Sequence, residues 1–259
     1  RRGHDAIGYV GMQFTEPAIE SVVARARTEG AELLVGLPVY PVCGPSTNIA
    51  ALEQLRRAVD AIGWRVPVFE ISGWHSHGAY IELRADAIRR FVMDNNLDVT
   101  EPGTRLIFSA HGTPLKYLQQ GSRYVLYTEH AVHAIAESLG VNNYVLGYQN
   151  HTNRPIEWTQ PDIEKVISEV QAHTVVVDPC SFIHEQSETL AELDHDLKEE
   201  AEERGLTYYR VPVPHDDPRF IKLLADLAEP FITGTHVQAG FRPCRCRTTP
   251  HTYCLNTVL

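Results

Sequence analysis

The feature that most constrains this chain is a regular alternation of short apolar runs with longer stretches of helical periodicity. Strand-like runs fall at 6–10, 32–37, 66–71, 105–108, 143–146, 174–177 and 207–211. Between and after them, apolar residues recur every three or four positions over 17–29, 48–62, 80–95, 124–139, 161–170, 188–204 and 218–228. Short apolar strands alternating with amphipathic helices imply parallel sheets covered on both faces, an α/β architecture. Pro17, Pro161 and Pro218 suit first helical turns, and Gly205 suits the end of the 188–204 helix. The polar, turn-rich stretch 93–104 divides the chain into two successive α/β halves.

Composition then excludes several classes of function. With 259 residues, 43% hydrophobic and 22% charged, the chain can bury an ample core. No apolar run approaches the roughly 18–20 residues of a membrane span. A net charge of −10 argues against a nucleic-acid partner, which needs a basic footprint. The N-terminus has neither a leader methionine nor a signal-peptide pattern, so a trimmed chain and a cytoplasmic location are expected. Cys43 and Cys180 stand alone, whereas Cys244, Cys246 and Cys254 crowd the tail, a pattern that reads as metal binding before disulfide formation.

Two places could carry chemistry. The run Leu106-Ile107-Phe108 ends in Ser109-Ala110-His111-Gly112-Thr113-Pro114, which puts His111 at a strand C-terminus. Ligands of parallel sheets bind there, and an imidazole suits proton transfer, although structural histidines are as common at such ends. Glu188, Glu192 and Asp196 are spaced i, i+4, i+8 and line one helical face, and a π-bulge would align them further. Such a row of hard oxygens could pass a divalent cation along, while an acidic helix face read by itself is first a solvated surface. Trp74-His75-Ser76-His77 reads as ordinary surface, Trp64 and Trp158 as packing residues, and Cys180 as a small core residue.

Several segments together resemble the ferrochelatase family. Ser109-Ala110-His111 with Pro114 resembles its histidine motif, and ETLAELD (188–194) resembles its glutamate motif. GMQFTEP (11–17), LPVYP (37–41), YQNHTNRPIEW (148–158) and DPRFIKLLADL (217–227) resemble further family segments, in the family's order. The resemblance implies a chelatase-like fold of two similar Rossmann-type lobes, parallel sheets flanked by helices, with a porphyrin cleft between them. It implies a first lobe over 1–101, incomplete at its N-terminus, and a second over 102–235. The implied reaction is insertion of ferrous iron, as substrate, into protoporphyrin IX to form haem. His111 and Glu188 would be catalytic, with His111, Glu188, Glu192 and Asp196 meeting the metal and Gln13, Tyr40 and Ser109 meeting the porphyrin. Coproporphyrin III as substrate, a sirohydrochlorin-type chelatase, and a non-catalytic porphyrin- or haem-binding protein are the alternatives. Peripheral membrane contact and oligomeric state are left open.

The chain departs from the family at Gln13, where arginine is usual, and at Gln186, where histidine is common, with His184 nearby. A residue is inserted within 148–158, so His151 and Arg154 cannot both take the usual roles. Many members hold a two-iron, two-sulfur cluster on three tail cysteines and one internal cysteine. The resemblance therefore implies Cys43, Cys244, Cys246 and Cys254 as ligands, with the tail, 236–259, packed on the first lobe. Free thiols, or zinc with His251 as a ligand, are the alternatives for the tail.

Overall fold

The structure is a computed structural model and describes residues 3, 5–151 and 155–256. Regular structure begins with α1 (Ile19–Thr28), β1 (Leu34–Gly36), a π-helical turn (Pro45–Ile49) that runs into α2 (Ala50–Ala61), then β2 (Val68–Gly73) and α3 (Gly78–Asp94). β1 and β2 pair in parallel. Ile19, Val23, Ala58, Val59 and Val68 form the core beneath α1 and α2.

The strand expected at 6–10 does not form. Ile7 and Val10 are 63% and 69% exposed, and the nearby bridge joins Met12 to Ala18 instead. A short apolar run holds an extended ladder only when a neighbouring strand takes up its backbone groups. Pro17 and Pro161 follow cis peptide bonds and precede the N-cap residues Ala18 and Asp162, so they stand outside their helices. Asp162 marks its own helix boundary by accepting the Glu164 N–H at 3.1 Å. Pro218 does occupy a first turn.

The second sheet is contiguous in sequence. It comprises β3 (Thr104–His111), then α4 (Leu115–Gln119), α5 (Tyr124–Leu139), β4 (Tyr144–Gln149), α6 (Ile163–Glu169) and β5 (Thr174–Asp178). A π-helical segment (Glu188–Asp196), α7 (Leu197–Glu203) and β6 (Thr207–Arg210) follow. The strand order is β4-β3-β5-β6 and every pair is parallel. β3 buries both faces: Leu106, Phe108 and Ala110 join the core under α5 and α3, and Ile107 joins the core under α6 and α7. Gly205 ends α7 at φ +78°, a left-handed position that glycine adopts without a Cβ clash.

The chain then returns to the first sheet. α8 (Pro218–Ile232), although inside the 102–235 span, sets Phe220, Leu223, Leu227 and Phe231 against Ile71, Trp74, Tyr80 and Leu83. β7 (Arg242–Pro243) and β8 (Thr252–Cys254) complete the sheet in the order β1-β2-β8-β7, with β8 parallel to β2 and β7 antiparallel to β8. Glu70, fully buried on β2, fixes this junction: it accepts from Arg56 Nε at 2.6 Å and Arg247 Nε at 2.9 Å, and from the Thr252 hydroxyl. α3 lies between the lobes, giving Tyr80 and Leu83 to one core and Ala85 and Ile88 to the other. Among the described residues, no helix is long and apolar enough to cross a membrane.

Candidate active site

His111 is the last residue of β3 and pairs with Gln149, the last residue of β4. Its Nδ1 lies 2.7 Å from the Gly112 carbonyl oxygen. A carbonyl only accepts, so Nδ1 carries the proton and Nε2 keeps a free lone pair. Burial pushes the imidazole pKa below its usual 6.5 and His151 lowers it further, against the opposing effects of the Gly112 carbonyl, Glu188 and Glu192. The backbone is held too: the His111 N–H donates to Ser181 Oγ at 2.8 Å, and the Tyr124 hydroxyl donates to the His111 carbonyl at 2.9 Å.

The Glu188–Asp196 segment adopts the i→i+5 winding, often found at functional sites. Gln149 Nε2 anchors it, donating to the Glu188 carbonyl and to Glu192 Oε2, each at 3.0 Å, while Ser109 Oγ donates to Gln149 Oε1 at 2.8 Å. From the other side, Arg210 binds Asp194 Oδ1 at 2.7 Å and Glu185 Oε1 at 2.6 Å. Burial favours a raised Glu188 pKa, but the Ser187 hydroxyl, the segment's own backbone, His111 and His151 outweigh it and hold the carboxyl below its ordinary 4.5. Glu188 and Glu192 are half-buried and Asp196 is exposed, so the row runs outward from His111. At its outer end a 140 Å³ pocket is lined by Glu192, Asp196, Asp162, Glu164, Gln149 and Asn150, among others. There burial raises the Glu164 pKa, aided by the charges of Asp162 and Glu200.

Of the residues expected at the porphyrin, Tyr40 comes from the first lobe into range of Glu188: burial raises its phenol pKa first, and the Glu188 charge adds to it. Ser109 is fully buried beneath His111, with its hydroxyl committed to Gln149, so it supports the site from behind. Gln13 is half-buried, and its Oε1 is buried without a hydrogen-bond partner. Arg154 lies outside the described residues. His151 stands edge-on to His111 at 5.1 Å between centroids, and Trp158, read from sequence as packing, stands edge-on to His151 at 5.2 Å. His184 is exposed, with Nδ1 3.1 Å from the Glu185 carbonyl. Ser181 and Phe182, like His111, follow an apolar run at a strand end and come to the site as that position implies; the role of Gln149 escaped the sequence reading, its signal being its place at a neighbouring strand end.

The four cysteines meet on the first sheet. Cys244 faces the thiols of Cys43, Cys246 and Cys254, and Cys43 faces those of Cys244 and Cys246. All four are free; Cys43, Cys244 and Cys254 are buried and Cys246 is half-buried. The Tyr127 hydroxyl lies 3.4 Å from Cys246 Sγ. Around them, His75 and Asn256 are buried with their side-chain nitrogens and the Asn256 oxygen lacking hydrogen-bond partners. His75 is therefore core and not surface, and burial pushes its pKa down to about 3. Four convergent thiols, soft ligands once deprotonated, with orphaned polar groups beside them fit a thiolate-held cluster. Among the described residues, no three His, Cys, Asp or Glu side chains are arranged to hold a single ion. His251 instead lies edge-on to Phe69.

The family model described as Ferrochelatase matches residues 1–230. The chain is 35% identical over 263 residues to the ferrochelatase of Synechococcus sp. (strain RCC307), covering 96% of this chain and 66% of that protein. It is 35% identical over 240 residues to that of Synechococcus elongatus (strain ATCC 33912 / PCC 7942 / FACHB-805), covering 88% and 60%. The chain thus spans somewhat less than two thirds of these relatives' length. Among solved structures, SirB from Bacillus subtilis with Fe3+ is similar in fold, with a TM-score of 0.55 at 13% identity, covering 87% of this chain and 81% of that one.

Proposed function

The chain belongs to the ferrochelatase family, and from that premise we propose that it inserts ferrous iron into protoporphyrin IX. The observation that carries the proposal is the juxtaposition of His111, at the end of β3 with its Nδ1 2.7 Å from the Gly112 carbonyl oxygen, with the carboxylates of Glu188 and Glu192 in electrostatic range of its ring. The reaction replaces two pyrrole N–H protons with one Fe2+. His111 Nε2 takes one proton. The other leaves along the carboxylates Glu188 and Glu192 toward the open end of the row. The same row, read inward from Asp196, conducts the cation to the ring. Tyr40 borders the porphyrin from the first lobe, and His151 and Trp158 border it beside His111. Charge separation at the moment of transfer is limited, because the anionic row faces both the incoming cation and the imidazolium as it forms.

Anaerobic incubation of the protein with ferrous iron and either protoporphyrin IX or coproporphyrin III tests this. Turnover to the metalloporphyrin supports the proposal, and preference for the second substrate would reassign it. Tight porphyrin binding without insertion would make the protein a binder.

Cys43, Cys244, Cys246 and Cys254 are proposed to hold a two-iron, two-sulfur cluster. Such a group supplies a cross-link of metal–thiolate bonds, and inserting ferrous iron needs no electron from it. The cysteines bind it, Cys43 from the β1 side and the others from the tail, tying residues 244–254 to the first lobe. Anaerobically purified protein should show iron–sulfur absorption in the visible range, and Cys246→Ser should remove it. A colourless, active protein would rule the cluster out while leaving the chelatase reading in place.

A further inference from the structure

The loop after β5 is held from two sides. On the side of the reaction site, Ser181 Oγ accepts the His111 N–H at 2.8 Å, and Cys180 Sγ donates to the Ser109 carbonyl at 3.4 Å. The Phe182 ring lies 6.4 Å from the His111 ring. On the other side the loop is held by α3, which starts in the first lobe. The Tyr80 hydroxyl donates to the Cys180 carbonyl at 3.0 Å. Arg84, one turn on, donates from Nη2 to Asp178 Oδ1 at 2.6 Å and from Nη1 to the Phe182 carbonyl at 3.2 Å. One planar guanidinium thus spans both ends of the segment 178–182, whose middle grips His111.

Burial makes this arrangement unusual. Arg84 is 2% exposed and Asp178 is fully buried. A buried Arg–Asp pair is a poor source of stability, because removing both charges from water costs nearly what their attraction returns, and apolar residues of similar size often do as well. What apolar residues cannot do is fix two points of a loop with a rigid fork. The pair therefore does something packing alone would not.

We propose that Arg84 is a positioning residue: through Asp178 and the 178–182 loop, α3 sets the place of His111, so that lobe placement is read out at the proton acceptor. This inference rests on the reading of His111 as that acceptor. It makes the catalytic strand end dependent on a helix of the opposite lobe.

The test compares wild type with Arg84→Met/Asp178→Leu, which removes both charges together and leaves neither unpaired, and with Arg84→Lys, which keeps the charge but loses the fork. Insertion kinetics and porphyrin binding are measured on each. The expected result is a kcat about ten- to a hundredfold lower in the double variant, the scale of a small misplacement of a reacting group. KM for porphyrin, porphyrin binding and the melting temperature should stay near wild type, and Arg84→Lys should recover only part of kcat. A stable double variant with wild-type kcat overturns the proposal, as does a fall in stability and binding that accounts for the whole loss. Should the charge variants fail to fold, Tyr80→Phe, which removes only the bond to the Cys180 carbonyl, decides: unchanged kcat overturns the proposal, and a several-fold lower kcat with unchanged KM supports it. Wild type that binds porphyrin but inserts no iron takes down the chelatase reading and this inference together; a failure confined to the variants takes down only the latter.

Discussion

The two lobes build the same backbone device and use it differently. In each, a strand paired in parallel with its neighbour leads through a loop into a π-helical stretch that straightens into an α-helix: β1 to Pro45–Ile49 to α2, and β5 to Glu188–Asp196 to α7. In the first lobe the stretch carries Asn48, fully buried and neutral, whose Nδ2 donates to the Tyr40 carbonyl at 2.8 Å and closes the loop around Cys43. In the second it carries Glu188 and Glu192, half-buried and aimed along the row from His111. In the first lobe the amide locks a loop, and in the second the carboxylates line the path proposed for cations and protons. The lobes also differ in how they close. The second sheet is complete between Thr104 and Arg210, whereas the first takes half of its strands from the tail.

Deleting 236–259 should have the largest effect. It strips β8 from β2, leaves Glu70 without Arg247 and Thr252, and uncovers the α8 face. Hydrogen exchange should show α1, α2 and β2 losing protection while β3 and β5 keep theirs. Equal loss in both sheets would mean that the lobes fold as one unit and would break the comparison.

Next in size is His111→Ala, which should lower insertion at least about a hundredfold while porphyrin binding and melting temperature stay close to wild type. Near-normal insertion in this variant would remove the chemistry from the second lobe.

Glu70→Ala should act on the first lobe alone. It removes the buried carboxylate that Arg56 and Arg247 share and leaves Arg247, 8% exposed, with the exposed Glu53 as its remaining counter-ion at 3.3 Å; loss of one partner of a buried pair costs about 3–5 kcal/mol. Chemical denaturation would measure this. A cost under about 1 kcal/mol would mean that the tail junction is held by packing and not by Glu70.

The smallest effect is the pH dependence. The folded His111 pKa is depressed below 6.5, so insertion should hold at neutral pH and fall as pH drops through a midpoint below 6.5. Glu188, held below 4.5, is ionised where the acid limb begins. The same shift weakens folding in acid, because the unfolded chain takes up its His111 proton first: this stability is present above 6.5 and lost as pH falls toward the folded value. An acid limb centred above 6.5 would contradict the buried, neutral imidazole.

Much of this was legible from local pattern. Residues 124–139 carry a helical period and form α5 with those bounds; the run before His111 carries the apolar signature of a strand buried on both faces and ends as one. The i, i+4, i+8 spacing of Glu188, Glu192 and Asp196 puts them on one helical face, and the segment that carries them winds as the π-helix that would align them further. Residues 6–10 carry an apolar run and form no strand, since a run without a partner strand has nothing to bond to.

What the sequence determined by itself is what depends on neighbours in the chain: strand and helix periods, the α/β class, a histidine at a strand end and a one-sided acidic row. Tertiary structure decided which edges meet. Thr252 reaches Glu70 across 182 positions, α8 turns back onto the first sheet, Gln149 arrives beside Glu192, and Arg84 reaches Asp178 from the opposite lobe. No local period encodes these choices. An open strand edge, an uncovered apolar face or a buried charge selects its partner by what remains unsatisfied once the rest of the chain has packed, and that is a property of the whole fold.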